Sequence, residues 1–225
     1  MLSAIEEDRI ADAVAKCEEA TSGEIFVVLA EEVSKYREIP LAWAAAVALA
    51  VPPLALALSL KPLMDLAGDL WLDSQAEGLT PAMGVVLAVY AAAQIALFLV
   101  VLAIVHIPAV RRPLTPRVLK RHRAAEAAQH QFVGVRAAGG ETGVLIFVAL
   151  ADHQVQILAD AGIHQKCGEA PWSRAANAIT TAMKAGQDPT GGVIEAVQIC
   201  GAALAEHYPA TGPRDHPVSS RPIEI

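Results

Sequence analysis

The chain has 225 residues, of which 54% are hydrophobic and only 18% charged, with a formal net charge of −7. That balance argues against nucleic-acid binding, which needs a basic surface to displace counterions from phosphate. It also departs from a fully soluble domain, where about a quarter of residues are charged, so part of the apolar excess is expected to face lipid.

The first twenty residues, "MLSAIEEDRIADAVAKCEEA", are acidic and amphipathic, where a secretory signal would be basic and then apolar. A cytoplasmic start is therefore expected. Ser3 and Glu6 have the spacing of a capping box. Ile10, Ala13, Val14 and Cys17 recur at helical spacing, which predicts a helix from about Ser3 to Ala20, closed by Gly23 in a left-handed cap. Cys17, Cys167 and Cys200 lie without paired spacing, the pattern of free thiols in a reducing compartment. The run from Ile25 to Ala30 is continuously apolar and rich in β-branched side chains, as in a strand covered on both faces.

Two uncharged stretches follow, residues 41–60 and 82–107, each long enough to cross roughly 30 Å of hydrocarbon as a helix. The second is the stronger, its large aliphatic and Phe side chains totalling about −4 to −8 kcal/mol on the insertion scale. The first is rich in alanine and carries Pro52 and Pro53, each of which removes a helix donor, so it is expected to insert as the partner of the second. Ala42, Ala46 and Ala50 on one stretch, and Gly84, Ala88, Ala92 and Ala96 on the other, predict facing ridges of small residues, with alanine abundance as the plainer explanation. Gln94 suits an interhelical hydrogen bond, and Trp43 an interfacial belt.

Charge sets the expected orientation. Arg111, Arg112, Arg117, Lys120, Arg121 and Arg123 follow the second stretch, whereas the connecting segment has Lys61 against Asp65, Asp69, Asp73 and Glu77. The positive-inside rule then places both ends in the cytoplasm and the connection outside. The six bases read either as membrane-surface contacts beside anionic headgroups or as a solvated topogenic patch.

Farther on, Thr115 and Pro116 predict the N-cap and first turn of a helix reaching about Phe132. Val144 to Leu150 reads as a second buried strand, turning at Asp152 and His153 into a return strand from Gln154 to Ala159. Trp172, Ala176, Ile179 and Met183 mark the core face of one helix, and Val193, Val197, Cys200 and Leu204 that of another. The stretch 210–225, rich in breakers, is expected to be a disordered tail. The expected organisation is residues 1–39 and 108–209 as two parts of one α/β domain, with a hairpin at 40–107 between them.

The order of a helix, "TSGEIFVVLA", a later helix, "TGVLIFVALADHQVQILADAGI" and two helices ending at "LAEHYP" resembles the TPM-domain family, found in thylakoid-lumen proteins and many bacterial membrane-associated proteins. The resemblance rests on Thr21 to Ala30, Val144 to Ala159, Asp160, Gly162, Trp172, Tyr208 and Pro209. It implies an α/β/α sandwich, here interrupted by a two-helix transmembrane hairpin. Taken with the two apolar stretches and the charge asymmetry, the expectation is a multi-pass protein of the bacterial inner membrane with both soluble parts cytoplasmic. The activities it brings are acid phosphatase, calcium binding and assistance in repairing membrane complexes.

The candidate metal ligands are Glu31, Asp160 and Glu169, for calcium or magnesium. No P-loop or convergent nucleophile set is present, so no catalytic residue is assigned. His164 and Cys167 have a ligand-like spacing but read as a loop histidine and a buried thiol. Two functions stay open: a module that binds or scaffolds other membrane proteins in the bilayer, and a metal-dependent phosphatase acting at strand-end acidic loops.

Overall fold

The computed structural model describes residues 3–34, 36–58, 81–139, 143–210 and 221–224. The connection between the two apolar stretches, together with Glu141, Thr142 and most of the expected tail, lies outside them. The chain divides into two compact units, Met1–Lys35 with Arg117–Ile225, and Tyr36–Pro116.

The first unit is built on a mixed four-stranded sheet of order β3-β2-β1-β4. Its strands are β1 (Glu24–Ala30), β2 (Gly143–Ala149), β3 (Gln154–Ala159) and β4 (Ile223–Glu224). β1 runs parallel to β2, with Glu24 opposite Gly143 and Ala30 opposite Ala149, and β3 returns antiparallel to β2. After Glu24 and Gly143 the two central strands are apolar throughout, because both of their faces are covered. Ile25, Val27, Leu29, Val144, Ile146 and Val148 point to one face. There they meet α1 (Ala4–Glu18), α6 (Ala161–Cys167), α7 (Ala170–Lys184) and α8 (Pro189–His207), through Ile10, Val14, Ile163, Trp172, Ile179, Val193 and Leu204. Phe26, Val28, Leu145 and Phe147 point to the other face, against Ala124, Ala128 and Val135 of α5 (Arg117–Gly139). The result is the expected three-layer α/β/α sandwich. Each fully buried large aliphatic side chain in it contributes about 1.5–3 kcal/mol.

Local chemistry explains where elements begin and end. Ser3 caps α1 through a complete capping box with Glu6. Gly23 does not take the left-handed conformation expected of it, since the positive-φ glycines among the described residues are Gly168 and Gly186. Its role is contact: a Cβ there would lie 3.0 Å from Leu204 Cδ2. The turn between α1 and β1 is instead held by the chain after α8, where Thr21 Oγ1 and Ser22 N donate to the Tyr208 carbonyl at 2.7 Å each. Thr115 also departs from expectation, because its hydroxyl donates back to the Arg111 carbonyl at 2.9 Å. It closes a short helix that the sequence pattern did not predict, and α5 begins after it and runs past Phe132. The last described residues are not loose either. Ile223 and Glu224 pair with Val28 and Leu29 as β4.

The second unit contains α2 (Glu38–Leu58), α3 (Pro81–His106) and α4 (Pro108–Leu114). α2 and α3 are long and apolar enough to cross a membrane, with mean hydropathies of 1.5 over Glu38–Ala55 and 2.6 over Leu87–His106. They pack on each other, and Leu49, Leu54, Leu87, Val89, Ile95 and Leu99 remain more than half exposed. The predicted small-residue ridges do not form the contact. Ala42, Ala46 and Ala50 are exposed, as are Gly84, Ala88, Ala92 and Ala96, and among the described residues the buried small ones of α2 are Ala44 and Ala48. The inward face of α3 carries Tyr90, Gln94, Leu97, Phe98, Val101 and Val105. The rotation has a polar cause: Gln94 Nε2 donates to the Ala48 carbonyl at 3.0 Å. Trp43 Nε1 donates to the Leu114 carbonyl, at the end of α4, at 3.3 Å.

Candidate functional site

The candidate acidic residues sit at opposite ends of the sheet. Asp160 follows β3, and because β3 is antiparallel to β2 it returns to the start of β2, where its N–H donates to the Gly143 carbonyl at 3.1 Å. Its Oδ2 accepts from the Gly143 N–H at 2.8 Å, a reciprocal pair that closes the strand end. Gly143 has to be small, since a Cβ there would lie 3.1 Å from Phe26 Cε2. Arg136 Nε stands 3.0 Å from Asp160 Oδ1 as an ion pair, without the alignment of a hydrogen bond. Glu31 follows the other end of β1, where its backbone carbonyl accepts from the Ala151 N–H at 3.0 Å. β1 has seven residues, so at about 3.3 Å per residue the two ends are separated by about 23 Å.

Glu169 is in a third place. Its exposed carboxylate lies 3.6 Å from His164 Nε2. Glu31, Asp160 and Glu169 therefore do not assemble a calcium or magnesium site, which draws six or more oxygens to one point. Among the described residues no three His, Cys, Asp or Glu side chains converge on a metal position. His164 and Cys167 also part company, because the Cys167 thiol donates to the Ala203 carbonyl at 3.6 Å.

The six bases divide in the same way. Arg112, Arg117, Arg121 and Arg123 are exposed, Arg123 with Glu126 at 3.5 Å. Arg111 is buried, and Lys120 turns inward, its Nζ 3.5 Å from the buried carboxylate of Asp152. Neither of these two is placed as a membrane-surface contact.

At the carboxyl end of the parallel pair the structure joins Asp152 to Lys120, and Glu31 follows β1 at that same end through its backbone bond to Ala151. Ligands of open α/β sheets gather at that end. Asp152 is held in the turn between β2 and β3, where His153 takes a positive φ of 51°. Lys120 and Arg136 thus bind α5 to the two ends of β3, the first at Asp152 and the second at Asp160. The sequence spacings contain this match. Sixteen residues separate the two bases, about 24 Å of helix. Eight separate the two acids, about 26 Å of strand. Reading Lys120 as a membrane-surface contact or as part of a topogenic patch concealed it.

Comparison with known proteins agrees with this architecture. The model of the TPM domain family matches residues 103–203. The solution structure of the BA42 protein from the psychrophilic bacterium Bizionia argentinensis superposes with a TM-score of 0.54 at 18% identity, covering 100% of this chain and 96% of that one. At that identity the likeness concerns the fold. No curated protein matches the chain significantly. With the family match over residues 103–203 and the shared sandwich together, the chain is similar to the TPM-domain family in both sequence and fold.

Proposed function

We propose that this TPM-like protein is anchored in a bacterial inner membrane by α2 and α3, with both soluble segments cytoplasmic, and that its α/β/α domain binds or scaffolds other membrane proteins. One observation carries the anchoring: the polar side chain on the packed face of the apolar pair, Gln94, is aimed at the one carbonyl that Pro52 deprives of its helix donor. Lipid offers no water to such a group, so a spanning pair has to satisfy it internally. The large apolar side chains on the outward faces of both helices fit the same surroundings.

Cysteine labelling in intact cells tests the arrangement. A cysteine placed at Ser74, between the two apolar stretches, is expected to react with an impermeant maleimide from outside, and one at Ser173, on α7, only after lysis. The reverse pattern, or protection of both, rules the topology out.

The second reading, a phosphatase dependent on calcium or magnesium, rests on the family resemblance. Turnover of a generic phosphate ester by the purified chain, present with either metal and absent in chelator, would move the assignment to it. No turnover under either condition leaves the binding module.

A further inference from the structure

The two outer layers of the sandwich carry opposite charge. α5, on one face of the sheet, has five Arg or Lys side chains against Glu126, and α1, on the other face, has five Asp or Glu against Arg9 and Lys16. The bases of α5 do different work. Lys120 and Arg136 turn to Asp152 and Asp160 at the two ends of β3, and Arg123 stands 3.5 Å from Glu126. Arg117 and Arg121 remain exposed, one turn apart, and Val118 between them in sequence is 80% exposed. The three fall within about 100° of one another around the helix. An aliphatic side chain is thus framed by two guanidinium groups at the start of α5. Water rewards only the arginines there, whereas a headgroup layer takes both kinds of group, the guanidinium at phosphate and the aliphatic side chain at the acyl boundary.

We propose that the first two turns of α5 are a headgroup-binding surface: Arg117 and Arg121 contact the anionic cytoplasmic leaflet, Val118 enters its acyl boundary, and the domain is held with α5 toward the bilayer and the acidic α1 away from it. The occupant is the bilayer and not another polyanion. Residues 107–116 separate Arg117 from the end of α3, so this short tether offers the leaflet to α5 at high effective concentration, an advantage that a nucleic acid or an acidic protein does not share. Charge favours the same choice. The cytoplasmic leaflet is negative, each base at its surface strengthens attachment roughly fivefold, and the same field repels α1.

This deepens the anchoring reading and rests on it. Labelling at Ser74 and Ser173 in cells tests the span, and a probe at residue 118 in defined lipid tests the surface, so the two fail separately.

The probe is a nitroxide attached at Val118→Cys, with one at Ser173→Cys, exposed on α7, as the control. The protein is the full chain, with Cys17 and Cys167 replaced by serine, in nanodiscs of phosphatidylcholine alone or mixed with phosphatidylglycerol. Collision of the nitroxide at residue 118 with a dissolved nickel chelate is expected to fall about threefold or more in the anionic discs, and to recover in high salt, which screens charges at a surface. The control at residue 173 should not change. Arg117→Gln with Arg121→Gln should abolish the difference between the discs, and Arg117→Lys with Arg121→Lys should keep most of it, which separates charge from damage to the helix. If the label disturbs the native circular dichroism, amide exchange over residues 117–121 of the unlabelled chain takes its place, slower in anionic discs if the surface binds headgroups and equal in both if it does not. Equal nickel accessibility in the two kinds of disc overturns the proposal, as does a fall at residue 173 in place of residue 118. Protection at residue 118 that an oligonucleotide produces and phosphatidylglycerol does not gives the surface to nucleic acid, and protection that grows with protein concentration in detergent gives it to a second copy. Either result also overturns the proposal.

Discussion

Gln94 Nε2 lies 3.0 Å from the carbonyl of Ala48, the group that would accept from residue 52 in an unbroken helix and cannot, because residue 52 is proline. A side chain of α3 therefore completes the backbone of α2. If so, the two substitutions are coupled. Gln94→Leu should cost about 1 kcal/mol of hairpin stability, and Pro52→Ala, which returns an N–H to the Ala48 carbonyl, should make that cost largely disappear. Unfolding of the four variants in detergent closes the double-mutant cycle, and equal costs in both backgrounds would show that the bond is incidental.

The two ties between α5 and β3 should not be equal. Lys120 and Asp152 are both largely buried, and removing one member of a buried pair strands the other, at about 3 kcal/mol. Arg136 is half exposed, and solvent screens its pairing to about 1 kcal/mol or less. Urea unfolding of Lys120→Met and Arg136→Met should keep that order, and a larger loss at Arg136 would contradict the burial argument.

Close helix packing predicts opposite effects for two glycines of α8. A Cβ at Gly201 would lie 2.7 Å from Cys17 Cβ, whereas one at Gly191 meets nothing within 4 Å. Gly201→Ala should therefore destabilise by about 1–3 kcal/mol through overpacking against α1. Gly191→Ala should be neutral or gain up to about 1 kcal/mol of helix propensity. Thermal melts of the two variants decide it, and a stabilised Gly201→Ala would mean that α1 is free to move away.

Burial pushes the Cys200 thiol up to about 12, and the thiols of Cys17 and Cys167 are raised for the same reason. At pH 8, iodoacetamide should leave Cys200 unmodified until the domain unfolds, as peptide mass mapping can read. The linkage sign is that of a group whose folded pKa is raised. Its contribution is complete below the ordinary thiol value of 9.0 and is lost as pH rises from there toward about 12. Cys200→Ala should flatten that alkaline decline, and an unchanged slope would assign the decline to other groups.

Much of this protein is determined by its sequence alone, wherever one local pattern suffices. The unbroken apolar runs of β1 and β2 announce strands covered on both faces, Ser3 with Glu6 announces the start of α1, and the two uncharged stretches announce helices able to cross a membrane. The resemblance carried by Thr21 to Ala30 and Val144 to Ala159 pointed to the sandwich. What only the tertiary structure decided is which groups meet, because that depends on strand direction and helix rotation. The antiparallel return of β3 carries Asp160 to the end of the sheet opposite Glu31, so three acids that look equivalent as strand-end residues do not share a site. The bond from Gln94 to Ala48 turns both apolar helices away from their alanine ridges. Lys120, one base among six in the sequence, becomes the buried partner of Asp152 because α5 lies along β3 with a matching length. Ile223 and Glu224, too short to read as a strand, become one because β1 presents backbone groups to which they can pair.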